Sequence, residues 1–146
     1  MQLTKNFSEE EFCATSSKLP NKMGQSERIK ASELLKYVVQ PLRDLFGDVI
    51  RISSGYRSLA VNKEKGGADK PLSQHCKGEA ADLKCKNNAL LFRLIRDNFM
   101  FDQLIWEGGD DNQPAWVHVS YKSQGNRGEI LRMRVVNGKK EYTHIK

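Results

Sequence analysis

His75 and Asp82 stand seven residues apart in Ser73-Gln74-His75-Cys76-Lys77-Gly78-Glu79-Ala80-Ala81-Asp82, and a second histidine, His118, lies in Trp116-Val117-His118-Val119-Ser120. Two imidazoles and a carboxylate form a nitrogen and oxygen donor set that suits Zn2+, with a fourth position left for water. Their donor atoms can converge only if the chain turns back between His75 and Asp82. Gly78 permits that turn because it adopts φ > 0 without steric cost. Ala80 and Ala81 are small enough for close approach to another element. Asp82 falls in the short apolar run 80–83, which reads as a buried strand, where a carboxylate needs a partner. Cys76 offers a rival chemistry, a thiol nucleophile with histidine as base. In extended chain, however, adjacent residues face opposite ways, so His75 would face away from it.

The elements that must position these groups follow from periodicity and caps. Ser8 and Glu11 form a capping box for a short helix. Ser26 is a candidate N-cap for a longer one, with Ile29, Leu34, Leu35, Val38, Leu42 and Leu45 at helical spacing. Pro41 inside that pattern predicts a kink or split, and Gly47 ends it. Residues 49–53 read as a strand. Ser58 caps a short helix to Lys65, and Asn87 or Asn88 caps another, with Leu90, Leu91, Leu94 and Ile95 on its buried face. Residues 102–107 and 115–121 read as a hairpin across a Gly/Asp/Asn-rich turn. In the second of these strands His118 shares a face with Trp116 and Ser120. A further hairpin, 129–136 and 139–145, turns at Asn137-Gly138. There, Leu131, Met133 and Val135 alternate with Arg132 and Arg134, giving one buried face and one basic face.

The pattern Ser-x-His-x-x-Gly-x-Ala-x-Asp, followed by Trp-Val-His-Val-Ser, resembles the zinc D-Ala-D-Ala metallopeptidase family. The likeness takes in Ser54-Gly55-Tyr56-Arg57 and the opening Leu3–Ser8, and so covers most of the chain to Ser120. The resemblance implies the hedgehog/DD-peptidase fold: an α+β domain with helices packed on a small antiparallel sheet, here spanning 1–146. It implies zinc held by His75, Asp82 and His118. It implies Arg57 in contact with substrate and developing oxyanion, and Ser73 in contact with substrate. The expected activity is hydrolysis of peptidoglycan stem or cross-link peptides, as a D,D-carboxypeptidase, dipeptidase or endopeptidase. Many members carry an acidic residue three positions before the second histidine, where this chain has Ala115. The predicted hairpin makes Glu107 the substitute base, ahead of Asp110 and Asp111 in the turn. The absent acid also supports another reading, a metal-retaining binding module without peptidase activity.

Composition sets outer bounds. A length of 146 residues suits one domain. The formal net charge of +6 favours an anionic partner such as a cell-wall polymer. No basic block with interleaved aromatics points to nucleic acid. Cys13, Cys76 and Cys85 are odd in number and irregular in spacing, which fits a reducing compartment better than a disulfide framework. Cys13 and Cys85 read as core filler, Glu79 as solvent-facing and His144 as an exposed strand residue. The first residues contain no apolar signal segment, and no run approaches the ~18 apolar residues of a membrane span. Synthesis in the cytoplasm is therefore expected, with access to the wall by a route such as release during phage lysis, or else action on soluble wall fragments inside the cell. A monomer is expected.

Overall fold

A computed structural model describes residues 1–145. In chain order the elements are α1 (Glu9–Phe12), α2 (Gln25–Leu34), a π-turn (Leu35–Val39), α3 (Gln40–Phe46), β1 (Arg51–Ser54), α4 (Leu59–Glu64), a 3-10 turn (Gln74–Lys77), β2 (Ala80–Lys84), α5 (Asn88–Asn98), β3 (Gln103–Glu107), β4 (Trp116–Ser120), β5 (Glu129–Val136) and β6 (Lys139–His144). The class is α+β. The six strands form one sheet in the order β1-β2-β4-β3-β5-β6. Among the described residues, no helix is long and apolar enough to cross a membrane.

The sheet is mixed rather than wholly antiparallel, because β3 and β5 run parallel. The segment after β4 carries the chain back past the start of β3, so β5 begins beside Gln103 and follows β3. Asp102 anchors this crossing. Its N–H donates to Ser120 O (2.9 Å), its carbonyl accepts from Glu129 N (2.9 Å), and its carboxylate accepts from Arg127 N (3.0 Å). Periodicity reports strands but not this long-range pairing, which depends on one buried side chain.

Alternation divides the strands between two faces. Ala81, Leu83, Leu104, Trp106, Val117 and Val119 are buried with Leu34, Leu35, Val38, Leu42, Leu91, Phe92 and Ile95 in the main core. Phe92 meets Trp106 edge-on at 5.3 Å. The opposite face carries Asp82, His118, Ile105 and Glu107, with a small apolar cluster of Ile105, Leu131 and Met133 beside Trp116. Burying this many large side chains, at about 1.5–3 kcal/mol each, is the main force holding helices to sheet.

Local signals are met with some shifts. Ser8 Oγ accepts from Glu11 N (3.1 Å), but the Glu11 carboxylate reaches Ile52 N (3.3 Å) and ties α1 to β1. The N-cap of α2 is Gly24 rather than Ser26, and Glu27 Oε1 accepts the Gly24 N–H (2.9 Å). Pro41 does not break the helix. The preceding turn widens, with Gln40 N donating to Leu35 O, so the chain stays helical from Gln25 to Phe46. A π-turn at this point accommodates a proline ring that would otherwise press on the previous turn. Ile29 and Leu45, expected in the apolar stripe, are exposed: Ile29 stands about 140° around regular α-helix from buried Leu34, and Leu45 follows the widened turn, which rotates α3 relative to a constant period. Leu90 is also exposed, leaving Ala89, Leu91, Phe92 and Ile95 buried in α5. Asn87 is its cap, with Oδ1 accepting from Leu90 N (3.1 Å). Val135 is exposed because the outer half of the β5–β6 hairpin extends past the core.

Candidate metal centre

One turn and two strands bring the three donor residues together. His75 sits in the 3-10 turn, whose N-cap Ser73 accepts the His75 N–H at Oγ (3.3 Å). Gly78 ends this turn at φ +78, and a Cβ there would overlap the Glu27 carbonyl oxygen. Only glycine fits both constraints. The chain then enters β2, where Asp82 pairs directly with His118 of β4. Directly opposed residues in an antiparallel ladder point to the same face, so the carboxylate and imidazole meet.

All three side chains are buried, and their donor atoms lie within 4.8 Å of one another. His118 Nδ1 is 3.0 Å and His75 Nε2 3.4 Å from Asp82 Oδ1. The imidazoles meet edge-on at 5.2 Å. His75 Nδ1 lies 2.7 Å from the Gly55 carbonyl oxygen. A carbonyl can only accept, so Nδ1 carries a proton; Nε2 faces Asp82, donating to the carboxylate when the ring is protonated and offering a lone pair to a cation when it is not. This is the outer hydrogen bond that orients a metal-binding histidine. The other ring nitrogen of His118, Nε2, is buried with no hydrogen-bond partner among the described residues. Burial alone would raise the Asp82 pKa, but positive charge and hydrogen bonding from His75 and His118 hold it well below the usual carboxylate range. Three acceptor-capable atoms converging in a buried place call for a cation, and this donor set fits a divalent metal ion.

The centre opens into a cleft of about 830 Å³. Glu107, Arg57 and Ser73 all line it, together with Gln74, Lys122 and Tyr142. Arg57 follows Gly55, where any Cβ would overlap the Phe12 carbonyl oxygen. Its N–H donates to His75 O (3.1 Å), its Nη2 lies 3.7 Å from Asp82 Oδ2, and its Nε donates to Ser54 Oγ (3.3 Å). Glu107 lies on the same face as His118, on the paired strand, and is 6 % exposed. Burial raises its pKa above the ordinary 4.5; nearby His118, Lys140 and Arg57 oppose the rise, and Asp82 adds to it.

The other sequence candidates lie elsewhere. Asp110 Oδ1 accepts from Asn112 N (2.8 Å) and Gln113 N (2.9 Å), and so holds its own turn. Asp111 is exposed and pairs with Arg132 (2.7 Å). Cys76 is buried, and burial pushes its thiol pKa up, away from the thiolate a nucleophile needs. Cys13 and Cys85 are half-buried against the core. Glu79 is buried rather than solvent-facing, because its backbone already bonds Gln74 O and Tyr121 N where β2 begins. His144 is exposed and lies 3.0 Å from Glu129 Oε2.

Two features that shape the cleft leave no signal in the sequence. Asp102 is fully buried and accepts from Gln74 Nε2 (3.0 Å), beside His75, as well as from Arg127 Nη2 (2.8 Å). Lys140 and Tyr142 of β6 also line the cleft. Residues 139–145 read as a hairpin strand, but nothing local in them specifies where that strand docks.

No curated protein matches the chain. The family described as Peptidase M15 matches residues 5–120, a span that holds all three donors, Arg57, Ser73 and Glu107. Its members are metal-dependent peptidases, in keeping with a buried His75, Asp82 and His118 group able to hold a metal ion. By this match and this geometry, the chain belongs to the peptidase M15 family.

Proposed function

We propose that the protein is a zinc D,D-peptidase that hydrolyses peptide bonds in peptidoglycan stem or cross-link peptides. The observation that carries this reading is Glu107: a buried carboxylate with a raised pKa, lining the same cleft and lying on the same sheet face as His118 and Asp82. His75, Asp82 and His118 would hold the zinc. When bound, zinc supplies an electrophilic centre and lowers the pKa of water toward ~7.

The protein's own groups do the rest. Glu107 accepts the proton of the attacking water as the water oxygen bonds to the scissile carbonyl carbon. A base with a raised pKa is better matched to neutral operation than an ordinary glutamate. The Arg57 guanidinium, held by Ser54 and Asn62, faces the negative charge that develops on the carbonyl oxygen. Glu107 then returns the proton to the leaving nitrogen as the carbon–nitrogen bond breaks. Ser73 and Arg57 position the peptide.

Ala115 favours a second reading, a metal-retaining wall-binding module. Ala115 is exposed and its N–H donates to Glu107 O (2.9 Å), so it contributes no proton-accepting side chain. The test is incubation of the zinc-loaded protein with purified peptidoglycan, with mass mapping of the products. New amine and carboxyl ends at D,D bonds are expected. Binding without any new ends would favour the module, and new ends at other bonds would reassign the substrate.

A further inference from the structure

Beside the metal cleft lies a smaller cavity of about 240 Å³. It shares Arg57, Gly66, Gly67 and Lys140 with the cleft, so the two are continuous. Three cationic side chains line it, Arg57, Lys65 and Lys140, together with the hydroxyls of Ser16, Ser53 and Ser54. Among the described residues, no carboxylate lines it. Arg57 is already engaged with Asp82 at 3.7 Å. Lys65 Nζ donates to Ser16 Oγ (2.6 Å), and among the described residues neither Lys65 nor Lys140 has a carboxylate within ion-pair distance.

The topology makes this convergence informative. Lys140 belongs to β6, at one edge of the sheet, while Ser53 and Ser54 belong to β1, at the other. Both edges line one small cavity, so the face that carries the metal donors curls over the site. Lys140 also comes from outside the family match at residues 5–120.

A concave site rich in ammonium groups and hydroxyl donors, without internal carboxylates, is built for an anion with several oxygen acceptors. We propose that this annex is a carboxylate-binding subsite, in which Lys65 and Lys140 receive an anionic group of the peptide lying in the cleft. The inference rests on the cleft being a peptide site. Stem peptides offer such groups at the chain end and on acidic side chains, and amidation of those carboxylates removes the charge while keeping the shape. The subsite therefore selects free carboxylates over amidated forms.

The test uses the 146-residue chain and one synthetic stem peptide, in a free-acid form and a fully amidated form. Affinities are measured by calorimetry for wild type, Lys65→Gln, Lys140→Gln and the double variant. Both lysines are exposed, so the native thermal transition should persist, and it is checked in parallel. Wild type should bind the free acid more tightly, and salt should erode the preference. Each single substitution should weaken free-acid binding about 2- to 5-fold, as expected for partly solvated charges, and leave amidated-peptide binding unchanged. The double variant should bind both forms alike. Equal binding of both forms by wild type, no measurable binding of either, or a preference that survives in the double variant would overturn the proposal. Turnover of the same peptides reports separately on the peptidase reading: selective binding without cleavage supports the subsite and counts against the hydrolase.

Discussion

His118 and Asp82 are direct cross-strand partners in β4 and β2, and their side chains meet at 3.0 Å, Nδ1 to Oδ1. The register of one antiparallel ladder thus sets two of the three donors. His75 completes the set from a turn fixed by Ser73 and Gly78.

Because the donors are placed by the fold, loss of one should remove metal but not structure. His118→Ala and Asp82→Ala should each drop metal content from about one ion per chain to near zero. The main core lies on the opposite face and does not depend on the ion, unlike a small zinc finger. Elemental analysis together with circular dichroism checks both halves. Retained metal, or global unfolding of both variants, would contradict it.

Gly78→Ala tests the turn. The residue sits at φ +78 and an added Cβ would overlap Glu27 O, which belongs to α2. Strained backbone of this kind costs about 1–3 kcal/mol, so the thermal midpoint should fall by several degrees. Metal affinity should fall as well, because His75 moves with the turn. An unchanged midpoint would mean that α2 yields freely.

That His75, Asp82 and His118 come together was legible because Gly78 marks the turn between two of them. Glu107 was legible from a hairpin whose pairing is local. Asp102, Lys140 and Tyr142 were not. Their placement depends on the parallel β3–β5 pairing, which links distant segments and leaves no periodic trace. The π-turn before Pro41 was likewise hidden, since a constant helical period cannot report a widened turn.

Asp102 yields a prediction of its own. Burial alone would raise its pKa, but the Arg127 side chain and backbone N–H, with the Gln74 amide, outweigh this and lower it to about 2, from an ordinary 3.8. A depressed carboxylate contributes stability above its unfolded pKa and loses it as pH falls through the folded one. That contribution should be full above about pH 4 and fade toward pH 2. Asp102→Asn should lose roughly 1–3 kcal/mol at neutral pH in a urea titration, and the gap to wild type should close in acid. A gap that does not change with pH would refute the assignment.

Glu107 has the opposite sign. Its folded pKa is raised, so ionisation disfavours the folded state above that value, and the penalty vanishes below the unfolded value near 4.5. In metal-free protein, Glu107→Gln should therefore melt higher than wild type at pH 8 and no higher at pH 4. Equal melting differences at both pH values would mean that the carboxylate is not destabilised by burial.

The most direct test of the whole account is the steady-state rate of zinc-loaded Glu107→Gln on a stem-peptide substrate. The amide keeps the size and polarity of the carboxylate but cannot take the water proton. The predicted result is a fall in kcat of about 10²–10⁴-fold, with KM and metal content little changed, as for a group that matters mainly in the transition state. An active wild type whose Glu107→Gln variant turns over at the same rate would contradict it.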